Sequence, residues 1–135
     1  MSVRKLVKLE ASLNDLLGEA SWLLSHAQAL ADYGRKEEAA TELARAATGE
    51  EQVAYLLDVV GREQEAVVHR VSAASCYEQL GEHARAATLL RAVLSAKLTD
   101  EYRTRIEKQL GHCLAQATTG NVPLRAARKS ASAAY

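Results

Sequence analysis

Leu9, Leu16, Leu23 and Leu30 recur every seven residues, and Leu6, Leu13, Ala20 and Ala27 form a second row beside them. Positions seven apart lie two turns along one face of a helix, so a helix gathers both rows on one side. A strand would scatter them over both of its faces. The pattern predicts a single helix over residues 3–33, running through Gly18 and roughly 46 Å long at 1.5 Å per residue. Leu17, Leu24 and Ala31 widen the stripe beyond a strict two-row seam. That width suits packing on later helices of the same chain, while a leucine row over four heptads leaves an intermolecular coiled coil open.

The rest of the chain follows the same rule. Alanine and leucine make up a third of it and phenylalanine is absent, a balance that favours helix over sheet. The only proline is Pro123, so punctuation falls to glycine. Gly34, Gly61 and Gly81 each follow an apolar stretch, as a glycine closing a helix does. Thr48 and Glu51 flank Gly49 with capping-box spacing, and Thr99-Asp100-Glu101 is a similar start signal. The expected helices after the first are 36–48, 50–60, 63–80, 83–96 and 99–117. Segment 63–80 is apolar around much of its circumference, which makes it the expected central helix. The last presents Tyr102, Ile106, Leu110, Cys113, Leu114 and Ala117 on one face. Connections this short make neighbouring helices antiparallel. The predicted fold is all-α: antiparallel helical hairpins, as an array or a small bundle, with a long N-terminal helix.

Thr118-Thr119-Gly120-Asn121 reads as a breaker cluster, so the expected division is a helical domain over 1–118 and a tail over 119–135. The tail carries Arg125, Arg128 and Lys129 among small residues, too few of them apolar to fold alone. Residues 1–60 hold six basic and ten acidic side chains, so the tail could dock on the acidic half of its own domain. The whole chain has 17 basic and 17 acidic residues and a formal net charge of zero. Zero charge argues against general binding to nucleic acid or anionic membranes. No apolar run is long enough to span a bilayer, and Lys8 and Glu10 interrupt any signal-peptide core after Leu6-Val7. Cys76 and Cys113, far apart and outside any Cys-x-x-Cys, read as buried thiols of a cytoplasmic protein.

Gly34-Arg-Lys-Glu-Glu-Ala39, Gly61-Arg-Glu-Gln-Glu-Ala66 and Gly81-Glu-His-Ala-Arg-Ala86 each place an alanine five residues after the glycine. This is a glycine turn followed by a helix whose first inward residue is small enough for close approach. Two copies extend further: Leu23, Ala27, Leu30, Gly34, Ala39, Leu43 and Ala46, then Ala74, Tyr77, Gly81, Ala86, Leu90 and Val93. Their spacing resembles the tetratricopeptide repeat (TPR) signature, and Cys76-Tyr77-Glu78-Gln79-Leu80-Gly81-Glu82 is similar to the end of a TPR first helix. The departures are a 47-residue period, Leu23 and Arg70 where the signature has tryptophan, and Glu51 and Leu98 in place of its closing proline. The resemblance, to a degenerate TPR-like helical-hairpin protein, implies an interaction module that holds a peptide or helix. The positions matching the carboxylate-gripping residues of one TPR subfamily are Ser21, Leu24, Gln28 and Ala31, then Val68, Val71, Ser75 and Glu78. None is cationic, so the resemblance points to an apolar partner segment, with Leu24, Gln28, Ser75 and Glu78 as contact positions.

Motifs for chemistry are absent. The histidines His26, His69, His83 and His112 form no Glu-x-x-His pair, and His69, Cys76 and His83 lie roughly 10 Å apart along a helix face, too far to converge on a metal. His112 and Cys113 point about 100° apart and form no nucleophile–base pair. No phosphate loop, Gly-x-Ser-x-Gly elbow or His-Glu-x-x-His occurs. The reading is no catalytic residue, no cofactor and no metal. Trp22, opposite the leucine stripe among Gly18, Ser25 and Ala29, is the candidate anchor for another helix, either of the chain's own bundle or of a partner. The expected function is a non-catalytic scaffold that binds another protein or its own copy, with no nucleic acid or membrane and with the 3–33 helix as the surface for homo-oligomers. The alternative is a bundle holding a small ligand or metal between helices.

Overall fold

The computed structural model describes residues 1–130, with side chains described through Thr118. It is all-α, with five helices: α1 (Val3–Asp32), α2 (Lys36–Val59), α3 (Glu63–Gln79), α4 (His83–Leu94) and α5 (Asp100–Ser130). Each packs chiefly on its neighbours in sequence, so the helices form a row of hairpins with α1 at one end and α5 at the other. No described helix is long and apolar enough to cross a membrane.

One turn is used three times. Gly34, Gly61 and Gly81 have φ of 80°, 83° and 80°, the left-handed region that side-chain-bearing residues avoid. At the first, the Gly34 amide donates to the Ala31 carbonyl (3.0 Å) and the Arg35 amide to the Leu30 carbonyl (2.9 Å). Gly61 and Arg62 bond Asp58 and Leu57 in the same way, and Gly81 and Glu82 bond Glu78 and Tyr77. This is the Schellman ending, which satisfies the last carbonyls of a helix. The residue after each glycine then starts the next helix: the carbonyls of Arg35, Arg62 and Glu82 accept from the amides of Ala39, Ala66 and Ala86. Arg35 forks onto Glu38 (2.5 and 2.6 Å) and Arg62 onto Glu65 (2.6 Å twice). At the third turn the signs are exchanged, Glu82 facing Arg85 at 3.8 Å.

The connection from α4 to α5 is different. The Arg103 guanidinium donates to the carbonyls of Leu94 (2.9 Å) and Ala96 (3.2 Å), and the Thr99 hydroxyl accepts from the Tyr102 amide (3.2 Å) as the expected start signal.

Two expected boundaries move. Helices 36–48 and 50–60 are one continuous helix, α2. A Cβ at Gly49 would sit 3.5 Å from Ala20 Cβ, an ordinary contact, so this glycine lies against α1 in mid-helix and marks no break. The Thr48 hydroxyl bonds back to Ala44 (3.2 Å), as a mid-helix threonine does, and forms no capping box. The expected end at 117 is also passed: α5 runs through Thr118–Asn121 to Ser130, and the Thr118 hydroxyl bonds back to Leu114 (2.7 Å). The docking expected of Arg125, Arg128 and Lys129 lies outside the described side chains.

The core has two parts. Leu13 of α1 meets Val53, Ala54 and Leu57 of α2 and Ala66 of α3. The larger part joins Ala47, Ala74, Tyr77, Ala86, Leu90, Val93, Ile106 and Cys113 from α2 to α5. Cys76 and Cys113 are free and buried, and α3 lies between α2 and α4 as expected of the central helix. Gly61→Ala is expected to cost about 1–2 kcal/mol, because alanine is strained at that φ. Gly111→Ala, in mid-helix with open space around a Cβ, is expected to stabilise by about 0.5–1 kcal/mol. Urea denaturation of both variants at pH 7 measures the pair.

Candidate functional site

The half-turn spacing of α1 and α2 builds one groove. Leu24, Ala27, Gln28 and Ala31 on α1 face Lys36, Ala39, Ala40 and Leu43 on α2, and Gln79 and Leu80 at the end of α3 close it. Both helices contribute positions i, i+3, i+4 and i+7, one continuous face each. Four alanines form the floor, three leucines the walls, and Gln28, Lys36 and Gln79 the polar additions. The groove encloses about 460 Å³. It is open because the facing side chains beside the Gly34 turn are small.

A second hollow of about 640 Å³ is lined by Leu16, Thr48, Glu51, Gln52, Tyr55, Leu56 and Arg85. Glu51 of α2 accepts from the buried Tyr77 hydroxyl of α3, and Arg85 of α4 lies 4.5 Å over the Tyr77 ring and 3.8 Å from Glu51. Burial, with Glu51 adding to it, pushes the Tyr77 phenol up to about 12, so it remains a proton donor to Glu51 at neutral pH. The arrangement locks three helices and leaves no ionised phenolate.

Glu50, one residue earlier, is the one buried charged residue among those described, and its carboxylate is 2.8 Å from His69 Nδ1. His26 of α1 similarly meets Glu42 of α2 at 2.5 Å. Both carboxylates sit on α2, so an imidazole–carboxylate contact joins it to each flanking helix. Burial, and then the Glu50 charge, pushes the Cys76 thiol up to about 11. Burial, and then Glu78, does the same to Cys113. Neither is a thiolate nucleophile at neutral pH. Among the described residues no group of three or more His, Cys, Asp or Glu side chains converges as a metal site.

The residues singled out from the sequence fall in three places. Leu24 and Gln28 line the alanine groove. Ser75 and Glu78 do not join them: Gln109 Nε2 donates to Ser75 Oγ (3.3 Å) and Glu78 Oε1 (2.5 Å), pinning α3 to α5. Trp22 lies on neither surface. It is 57% exposed and stacks on His26 of its own helix at 4.5 Å, so among the described residues no other helix covers it. Sequence reasoning missed Lys36, Ala40, Gln79 and Leu80 as lining residues; the Ala39-Ala40 pair directly after the Gly34 turn was the available signal for one of them, Ala40.

No family model, curated protein sequence or solved structure matches the chain.

Two outcomes follow from the buried groups. His69→Ala is expected to cost about 2 kcal/mol by leaving Glu50 buried without its partner, and adding Glu50→Gln to it to recover part of that loss. Chemical denaturation reads both. The raised thiols make folding stability fall as pH rises above about 9, their ordinary value, toward about 11. In that window the unfolded chain has lost thiol protons that the folded chain keeps. Urea midpoints between pH 8 and 11 check the direction.

Proposed function

We propose that the chain is a non-catalytic, TPR-like interaction scaffold that holds an amphipathic helix or peptide of a partner protein in the groove of α1, α2 and α3. The observation that carries this is the groove itself: alanines and leucines on two helices joined by one turn. Such a surface takes a ridge of apolar side chains at helical spacing. The repeated glycine turn supports a TPR-like assignment, because it builds successive hairpins by one rule. Lys36, the one cation of the groove, favours a carboxylate at the edge of the bound segment. Two buried free thiols support a reducing, cytoplasmic setting.

The hollow beside Tyr55 favours a second reading, a bundle that holds a small polar molecule next to Glu51 and Arg85. Native mass spectrometry of the purified chain separates the two. A stoichiometric small molecule on the monomer would replace the scaffold reading.

A photo-crosslinking residue at Ala40, used in cells, is expected to trap one protein through an amphipathic segment. Leu43→Glu is expected to weaken capture at least tenfold, and Gln52→Glu in the other hollow to leave it intact. Loss in neither variant, or equal loss in both, would refute the groove as the binding surface.

A further inference from the structure

The two ends of the helix row are unlike. A row of this kind stays soluble when its terminal helices turn polar faces outward. The described part of α5 does this: Glu101, Thr104, Arg105, Lys108 and His112 are exposed, and neither α4 nor this part of α5 exposes a large apolar side chain. Among the described residues, six of the nine exposed large apolar ones instead belong to α1 or the residues flanking it: Met1, Val3, Leu6, Val7, Trp22 and Tyr33. The α1 face turned away from α2 is exposed from end to end through Val7, Ala11, Gly18, Trp22, Ser25 and Ala29. Gly18 meets nothing within 4 Å of an added Cβ, so this face is open at mid-helix.

The charges of α1 also run against its own dipole. Arg4, Lys5 and Lys8 occupy its start with no acid in the first turn, and its last turn holds Asp32 and no base. Between Leu9 and Gly34 there are four acids and no Lys or Arg. Cations at a helix N-terminus and an acid at its C-terminus destabilise an isolated helix. An antiparallel copy reverses the relation, because each basic end then lies beside an acidic one. A parallel copy would set like charges together.

We infer that two copies of this chain pair through the outer faces of α1, antiparallel, about a two-fold axis near Gly18. In that register Arg4 of one copy faces Asp32 of its partner, Val7 faces Ala29, and Ala11 faces Ser25. Gly18 meets itself at the crossing, where the absence of a side chain allows the helices to approach. Val7 thus opposes a small residue, Ala11 and Ser25 are both small, and Trp22 faces Asn14. The inference uses a different face of α1 from the partner groove. The two meet where Gln28 of the groove donates to Asp32 (2.9 Å), and the Gly18→Leu variant tests the pairing without touching that contact.

The test is light scattering with size exclusion across a concentration series at low salt. The expected mass is about 29 kDa, twice the 14.6 kDa of the chain. Arg4→Asp and Asp32→Arg are each expected to weaken the dimer about tenfold, and their combination to restore it. Both changes improve the charge at their own helix end, so circular dichroism should show folded protein in each. Gly18→Leu, which the single chain accommodates, is expected to yield monomer. Mixing Val7→Cys with Ala29→Cys chains under mild oxidation should link the two kinds of chain to each other. A 14.6 kDa species at every concentration, or a dimer indifferent to the charge reversals and to Gly18→Leu, would overturn the inference. So would a monomer that binds anionic vesicles through residues 1–8.

Discussion

Everything in this fold hangs on three residues that adopt a backbone conformation closed to most side chains. Gly34, Gly61 and Gly81 reverse the chain within three residues, and each does so with the same pair of amide–carbonyl bonds. A turn this short leaves no freedom in the relation of one helix to the next. The side chains that touch are consequently those nearest the turns, and they are small: Ala39, Ala66 and Ala86 enter the core as the first inward residues of their helices. Alanine richness is a packing requirement here as well as a helix preference.

Against this close-packed background the few polar groups inside act as fasteners between helices. Glu50 and Glu51, adjacent on α2, point to different partners, one to His69 and the other to Tyr77 and Arg85. Asp58 takes Arg70 of α3 at 2.5 Å, and Glu10 of α1 takes Arg62 at 3.2 Å. The Glu50–His69 contact contributes little net stability, but it penalises any slip of α2 along α3 because a displaced Glu50 carboxylate stays buried and unpaired. Asp58–Arg70 and Glu10–Arg62 are half-exposed fasteners at the surface. They set register where alanine surfaces, being smooth, do not.

The groove and the outer face of α1 follow from the same geometry. Small residues on both helices beside the Gly34 turn leave an opening between them. Among the described residues no helix covers the outer face of α1. Open surfaces of both kinds are what remains once the described helices have satisfied their own packing.

Periodicity and turn chemistry were legible in the residues themselves. The extent and buried face of α1, the three glycine turns, the inward face of α5 and the two buried thiols all follow from local pattern, because each depends on residues within a few turns of one another. Gly49 was not legible. A glycine between a threonine and two glutamates fits a helix start as well as a mid-helix contact, and only the position of Ala20 across the interface decides. Glu50 and Glu51 read as first-turn acids until His69 and Tyr77 are brought opposite them. Ser75 and Glu78 read as partner contacts until Gln109 arrives from α5. By itself, then, the sequence determined which segments are helical and which side of each turns inward, since both are set by short-range sterics and apolar spacing. Only the tertiary structure decided which polar groups face one another and which apolar surface stays open, because both depend on residues that folding alone brings within reach.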